Sequence, residues 1–124
     1  MREIKFRGYS SGLHTWVYGD LQTPIKNNNL PFIRQLDKDE WFSVEEDSVG
    51  QYTGFKDRNG VEIYEGDILI DNFGFRQVVE YGEEVGLWET YEINDKTDRY
   101  DLYKYYTMCE VIGNIYEEKL KDSK

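Results

Sequence analysis

The sequence predicts a mainly β protein, an N-terminal β-hairpin and meander lobe followed by a small closed sheet. Short apolar runs alternate with polar residues at period two, and Gly, Asn and Asp turn signals separate them at intervals of roughly ten residues. Only the C-terminal tail has helix-forming composition.

Ile4 and Phe6 alternate with charged neighbours, and Trp16 and Tyr18 alternate about Val17, so two strands joined by Ser10-Ser11-Gly12 form a hairpin. Gln22 to Leu30, with three successive asparagines, has no periodicity and reads as a loop, because Asn side chains bond nearby backbone and tolerate left-handed conformations. Phe32–Leu36 and Trp41–Val44 read as strands around Asp37–Glu40, and Glu45–Ser48 as an acidic connector. Further on, Phe75–Tyr81 places Phe75, Gln77, Val79 and Tyr81 on one face and Arg76, Val78 and Glu80 on the other, so each face carries apolar residues. Gly82–Gly86 is a turn, Leu87–Ile93 a strand, Asn94–Arg99 a polar turn, and Tyr100–Met108 with Glu110–Ile112 the last strands. Tyr116–Lys124 is short enough to fray or be disordered. These elements divide into an N-terminal β lobe over residues 1–56, a barrel lobe over 57–118 and a flexible tail over 119–124.

Val49–Asp71, VGQYTGFKDRNGVEIYEGDILID, sits between the lobes. Asn59-Gly60 supplies the positive φ that a type I′ turn needs at both central positions, and Asp57 can accept backbone N–H bonds at its start. Gly66 suits a second bend, and Asp67 can cap it from its side chain before Ile68 and Ile70 enter the core. Gly60, Gly66 and Asp67 are therefore structural turn residues.

The same segment, with the opening MREIKFRGY and the closing EVIGNIYE at Glu110–Glu117, resembles the YopX family of small phage and prophage proteins. The motifs cover both ends and the middle of the chain, in the family's order and at compatible spacing. The family usually has Pro before Val-Gly-Gln and Leu after Thr-Gly; here Glu46 and Asp47 precede Ser48 and Phe55 follows Gly54. The resemblance implies an SH3-like small β-barrel in the second half, an origin in a phage or a prophage of a low-GC Gram-positive bacterium, and a ring-like homo-oligomer. It implies no assigned activity. Strand number and turn spacing from Tyr64 onward agree with a small barrel, with a sandwich as the alternative.

Charge narrows the function classes. Fifteen Lys and Arg against 25 Asp and Glu give a net charge of -10, which repels nucleic-acid backbone and anionic lipid. Arg2, Lys5 and Arg7 cluster near the start, but three cations are few on this background, so a weak nucleic-acid-binding module is disfavoured. No run approaches the roughly 20 apolar residues of a membrane span. A lone cysteine, Cys109, and no apolar leader predict a soluble, cytoplasmic protein, and the resemblance implies that the cytoplasm is a bacterial host's.

No constellation makes a reaction centre. His14 is the only histidine and Cys109 the only thiol, and they read as a turn residue and a small buried side chain. The acidic pairs Glu83/Glu84 and Asp37/Asp39 fall in turns, where charges are ordinarily solvated. Asn94-Asp95-Lys96-Thr97-Asp98 puts Lys where a calcium loop needs oxygen, and one His with one Cys cannot complete a zinc site, so neither metal nor cofactor is expected.

The candidate surface is aromatic: Trp88, Tyr91, Tyr100, Tyr103 and Tyr105. Strand alternation across Tyr100–Met108 sends Tyr103 and Tyr105 to one face and Leu102, Lys104 and Tyr106 to the other. These rings form a shared core, a self-association surface or a docking site for another macromolecule, since large rigid rings are hot-spot residues. The expected function is that of a non-enzymatic accessory protein acting through homo-oligomerisation and contacts with a phage or host protein. The alternative is an acidic decoy for a host nucleic-acid-handling protein, with carboxylates standing in for phosphates.

Overall fold

A computed structural model describes residues 3–23 and 30–122. The centre of the loop expected over Gln22–Leu30, its three asparagines included, lies outside the described residues, as do Arg2, Ser123 and Lys124. The chain is mainly β and divides into two compact units, Met1–Tyr52 and Thr53–Lys124. The division falls inside one strand, ahead of the boundary expected after Lys56.

In the first unit, β1 (Phe6–Ser10), β2 (Thr15–Gln22), β3 (Phe32–Gln35), β4 (Glu40–Ser43) and the start of β5 (Gly50–Lys56) are joined antiparallel in the order β4-β3-β2-β1-β5. Period-two alternation turns Val17 inward, where it packs with Ile33 and Val44 and with Phe6, Leu21, Phe42 and Val49 at the margin. Trp16 and Tyr18 take the opposite face. Gly19 permits the close approach of β3: a Cβ there would stand 1.8 Å from the Arg34 carbonyl oxygen. The acidic connector is a single 3-10 turn, Glu46–Ser48. Its Ser48 hydroxyl donates to the Glu45 carbonyl at 2.6 Å and accepts the Tyr9 amide at 2.7 Å.

The second unit contains the rest of β5, then β6 (Glu62–Tyr64), β7 (Asp67–Ile70), β8 (Arg76–Gly82), β9 (Leu87–Glu92), β10 (Asp95–Asp101), β11 (Glu110–Asn114) and the helix α1 (Ile115–Asp122). Five of its strands pair antiparallel in the order β10-β9-β8-β7-β11. The apolar residues on both faces of β7 and β8 are both used. Ile68 and Val78 pack with Tyr91 on one face, and Leu69 and Val79 with Ile63, Leu102 and Cys109 on the other. Adjacent apolar residues, Ile68-Leu69-Ile70 in β7 and Val78-Val79 in β8, therefore replace a strict alternation at the centre of these strands.

Asp57 organises the entry to this unit. Buried at 5% exposure, it accepts the amides of Asn59 at 2.8 Å and Val61 at 2.9 Å with Oδ1, and that of Val111 at 2.8 Å with Oδ2. The turn is not type I′. Gly60 has φ +81 but Asn59 stays at negative φ, so a three-residue loop closes on one left-handed glycine. At the next bend, Gly66 has φ +90 and the buried Asp67 Oδ2 accepts the Tyr64 amide at 2.7 Å.

Three other expectations are corrected. The polar turn at Asn94–Arg99 is strand β10 from Asp95 onward, because the reversal is confined to Ile93-Asn94. Tyr100–Met108 is not one strand: β10 ends at Asp101, and the chain then makes two 3-10 turns, Leu102–Lys104 and Tyr106–Met108, the first capped by the Asp101 carboxylate accepting the Tyr103 amide at 3.0 Å. The tail is helical from Ile115 to Asp122, so Lys119–Asp122 continue a helix. Its cap is reciprocal: Asn114 Oδ1 accepts the Glu117 amide at 2.9 Å and Asn114 Nδ2 donates to Glu117 Oε1 at 2.7 Å.

Candidate functional site

The β7–β8 reversal is a pre-shaped platform. Asp71 Oδ1 accepts the amides of Phe73 at 2.9 Å and Phe75 at 3.0 Å, and Gly74 takes φ +87. An Asx turn fixed in this way leaves its two rings in water, Phe73 at 86% and Phe75 at 58% exposure. Phe73 is the most exposed large apolar side chain among the described residues.

These rings form one wall of a groove of about 290 Å³. Tyr100, at the end of β10, and Tyr105, between the 3-10 turns, form the other, with ring centroids 6.3 Å apart and planes at 88°. Met108 and Cys109 complete the apolar lining. The polar lining is Asp71, Asn72, Gln77 and Glu92. Gln77 faces Glu92 across the β8–β9 ladder. It is held at both ends, donating to Asp71 Oδ2 at 2.9 Å and accepting from the Thr90 hydroxyl.

Cys109 is 2% exposed, and burial, reinforced by the negative charge of Asp71, pushes its thiol above the usual range against a smaller opposite effect of Arg58. A thiol kept protonated is a weak nucleophile, so the groove is suited to binding rather than to covalent chemistry. Among the described residues no group of His, Cys, Asp and Glu is placed to hold a metal.

The five aromatic residues selected from the sequence part company here. Tyr91 is a core residue at 4% exposure, under Lys96 and Arg99 at 5.4 and 5.0 Å from its ring centroid. Burial, with a further contribution from Glu80, raises its phenol above the ordinary value. Trp88 is half-buried against the Leu69 core and meets Tyr81 edge-on at 5.1 Å. Tyr100 and Tyr105 line the groove, while Tyr103, 66% exposed, packs beside Phe55 at 6.0 Å. Phe73, Phe75, Met108 and Glu92 were not selected, although Asp71-Asn72-Phe73-Gly74-Phe75 carries a turn signal with two rings inside it.

A second, more open cavity of about 610 Å³ lies among Glu65, Glu80, Glu83, Glu84, Glu89 and Arg99. Arg99 binds Glu80 at 2.9 Å and Glu89 at 3.2 Å, which ties β10 to β8 and β9 and holds the guanidinium protonated. Its role is structural.

The family described as YopX protein matches residues 5–120, nearly the whole chain. The chain belongs to the YopX family. No curated protein matches it. Membership accounts for the run of motifs from the first strand to α1, and in this YopX chain Asp57, Gly60, Gly66 and Asp67 serve the backbone of the second unit.

Proposed function

We propose that the protein is a non-enzymatic phage or prophage accessory protein that works in the bacterial cytoplasm by self-association and protein–protein contact through the aromatic face of its second unit. The observation that supports this reading is the exposure of Phe73, Phe75, Tyr100 and Tyr105 around one groove, together with the exposed Tyr103 beside Phe55. Exposed apolar patches of this kind mark interaction sites in soluble proteins. An SH3-like barrel for the second unit belongs to the same proposal, supported by its short antiparallel strands and by the return of β11 to pair with β7.

Light scattering over a concentration series tests the proposal. The expected result is a concentration-stable oligomer that Tyr103→Ser reduces to monomer, and a monomer at every concentration overturns it. The decoy reading draws on the net charge of -10. Pull-downs from host lysate that retain no salt-sensitive nucleic-acid-binding protein would remove it.

A further inference from the structure

We infer that the groove between the Asp71–Phe75 turn and Tyr100–Cys109 is a recognition pocket for a lysine or arginine side chain presented by a basic segment of a partner protein. The inference rests on this face being a binding surface but does not need self-association.

Size comes first. About 290 Å³ lies at the bottom of the range of small-molecule sites, roughly 300–1,000 Å³, a size that suits one long side chain. Shape is second. Tyr100 and Tyr105 stand at 88° to each other, and Phe73 and Phe75 line the groove with them. Rings meeting at a right angle offer π faces to a cation in the corner, the arrangement by which aromatic cages hold ammonium groups. The aliphatic stem of Lys or Arg suits the Met108 side of such a groove.

Charge is third. Asp71 and Glu92 are the ionisable acids of the lining and no Lys or Arg belongs to it. Arg58 bonds Asn72 at 3.4 Å but is paired with Glu110 at 3.6 Å. Asp71 is committed to its own turn, whereas Glu92 makes only a 3.2 Å bond to the Asn94 amide and no ion pair among the described residues. The carboxylate left to meet a cation is thus Glu92.

The fourth observation comes from the rest of the chain. Four rings stand under five cations of the protein itself: Tyr52 under Lys5, Trp16 under Arg7, Trp41 under Arg34, and Tyr91 shared by Lys96 and Arg99. Among the described residues, no cation stands over Phe73, Phe75, Tyr100 or Tyr105. An acidic, cation-free aromatic corner is complementary to a basic segment. A second copy of this chain, itself at -10, is the poorer occupant.

The test is a nuclear magnetic resonance titration of the isotope-labelled full chain with three capped tripeptides, acetyl-Gly-X-Gly-amide, where X is arginine, lysine or norleucine. Norleucine keeps the stem and lacks the charge. The arginine and lysine peptides should shift Phe73, Phe75, Gln77, Glu92, Tyr100 and Met108 together, and the norleucine peptide should bind about threefold to tenfold more weakly, as a lost cation–π and carboxylate contact requires. Glu92→Gln should weaken the arginine peptide several-fold while leaving amide shifts outside the groove in place; Tyr100→Leu should act likewise, and Tyr100→Phe should not.

Equal binding of the norleucine peptide overturns the inference, as do shifts confined to the Glu80–Glu89 acidic cavity or no shifts at all. The titration reads the groove whether the protein is monomer or oligomer. Failure of self-association and failure of this pocket therefore give different results.

Discussion

The two units treat their aromatic residues differently. In the first, rings come with cations whether exposed or buried: Arg7 lies 4.9 Å from the Trp16 ring centroid, Arg34 5.7 Å from that of the exposed Trp41 and Lys5 5.2 Å from that of the buried Tyr52. In the second, both cations over rings, Lys96 and Arg99, lie over the buried Tyr91, while the rings around the groove have apolar and acidic neighbours. Ring count alone is therefore a poor guide to a binding surface. Whether the chain supplies the partner that a ring's π face attracts is a better one.

The units also differ in what fixes their turns, and the largest expected effects test this. In the second unit, one carboxylate replaces a set of backbone partners. Asp57→Ala leaves the amides of Asn59, Val61 and Val111 without their acceptor, at a cost of about 3 kcal/mol or more, since each orphaned buried donor costs about 1–3 kcal/mol. Urea unfolding checks it, and a loss below about 1 kcal/mol would mean that water takes over the carboxylate's role.

In the first unit the sensitive point is steric. Gly19→Ala puts a methyl group 1.8 Å from a backbone oxygen that belongs to β3, so the β2–β3 ladder must shift. Overpacking of this kind costs about 1–3 kcal/mol, and the upper end is expected because backbone cannot rotate away as a side chain can. Amide exchange should show the loss at Asp20–Gln22 and Phe32–Arg34, the residues that pair there. Unchanged protection at those amides would mean that the strands part without cost.

Most strands were legible because each carried its own alternation and its own turn residues. Val17 between Trp16 and Tyr18, and the Gly82–Gly86 reversal, need nothing from the rest of the chain to be read. What was not legible depended on side chains acting on the backbone at short range. Tyr100–Met108 has strand composition, yet the Asp101 carboxylate draws the Tyr103 amide into a 3-10 turn and ends the strand. The helix after Asn114 carried a readable signal, Asn114-Ile115-Tyr116-Glu117 as a capping box, whose weight is lost when a tail is judged by length alone. The groove was partly visible through Tyr100 and Tyr105. Its other wall was hidden because Phe73 and Phe75 sit in a turn, where apolar residues are not sought.

The floor of the groove can be probed through its pH dependence. Burial raises the Cys109 thiol above its ordinary value. The folded state therefore favours the protonated form, and the stability due to this group is fully present below the unfolded thiol's pKa, about 8.5. As pH rises beyond that point the unfolded chain ionises first, and stability falls until the folded thiol ionises as well. Wild type should lose stability between roughly pH 8 and pH 10 more steeply than Cys109→Ala, in which this titration is absent. Parallel profiles would place Cys109 in contact with water.

The smallest effect on stability should come from the most exposed ring. Phe73 is 86% exposed, and the bonds that shape its turn run from Asp71 to backbone amides, which a serine would also supply. Phe73→Ser should therefore unfold within about 0.5 kcal/mol of wild type, the range of surface substitutions away from special features. Gly19→Ala acts in the opposite sense, on packing and not on the groove. If the groove is a binding surface, the pair separates stability from recognition: Phe73→Ser keeps the unfolding midpoint and loses affinity for the arginine tripeptide. A fall in stability of 2 kcal/mol or more, as for a buried aromatic, would instead place Phe73 within the fold, and the two units would then not differ in how they use their rings.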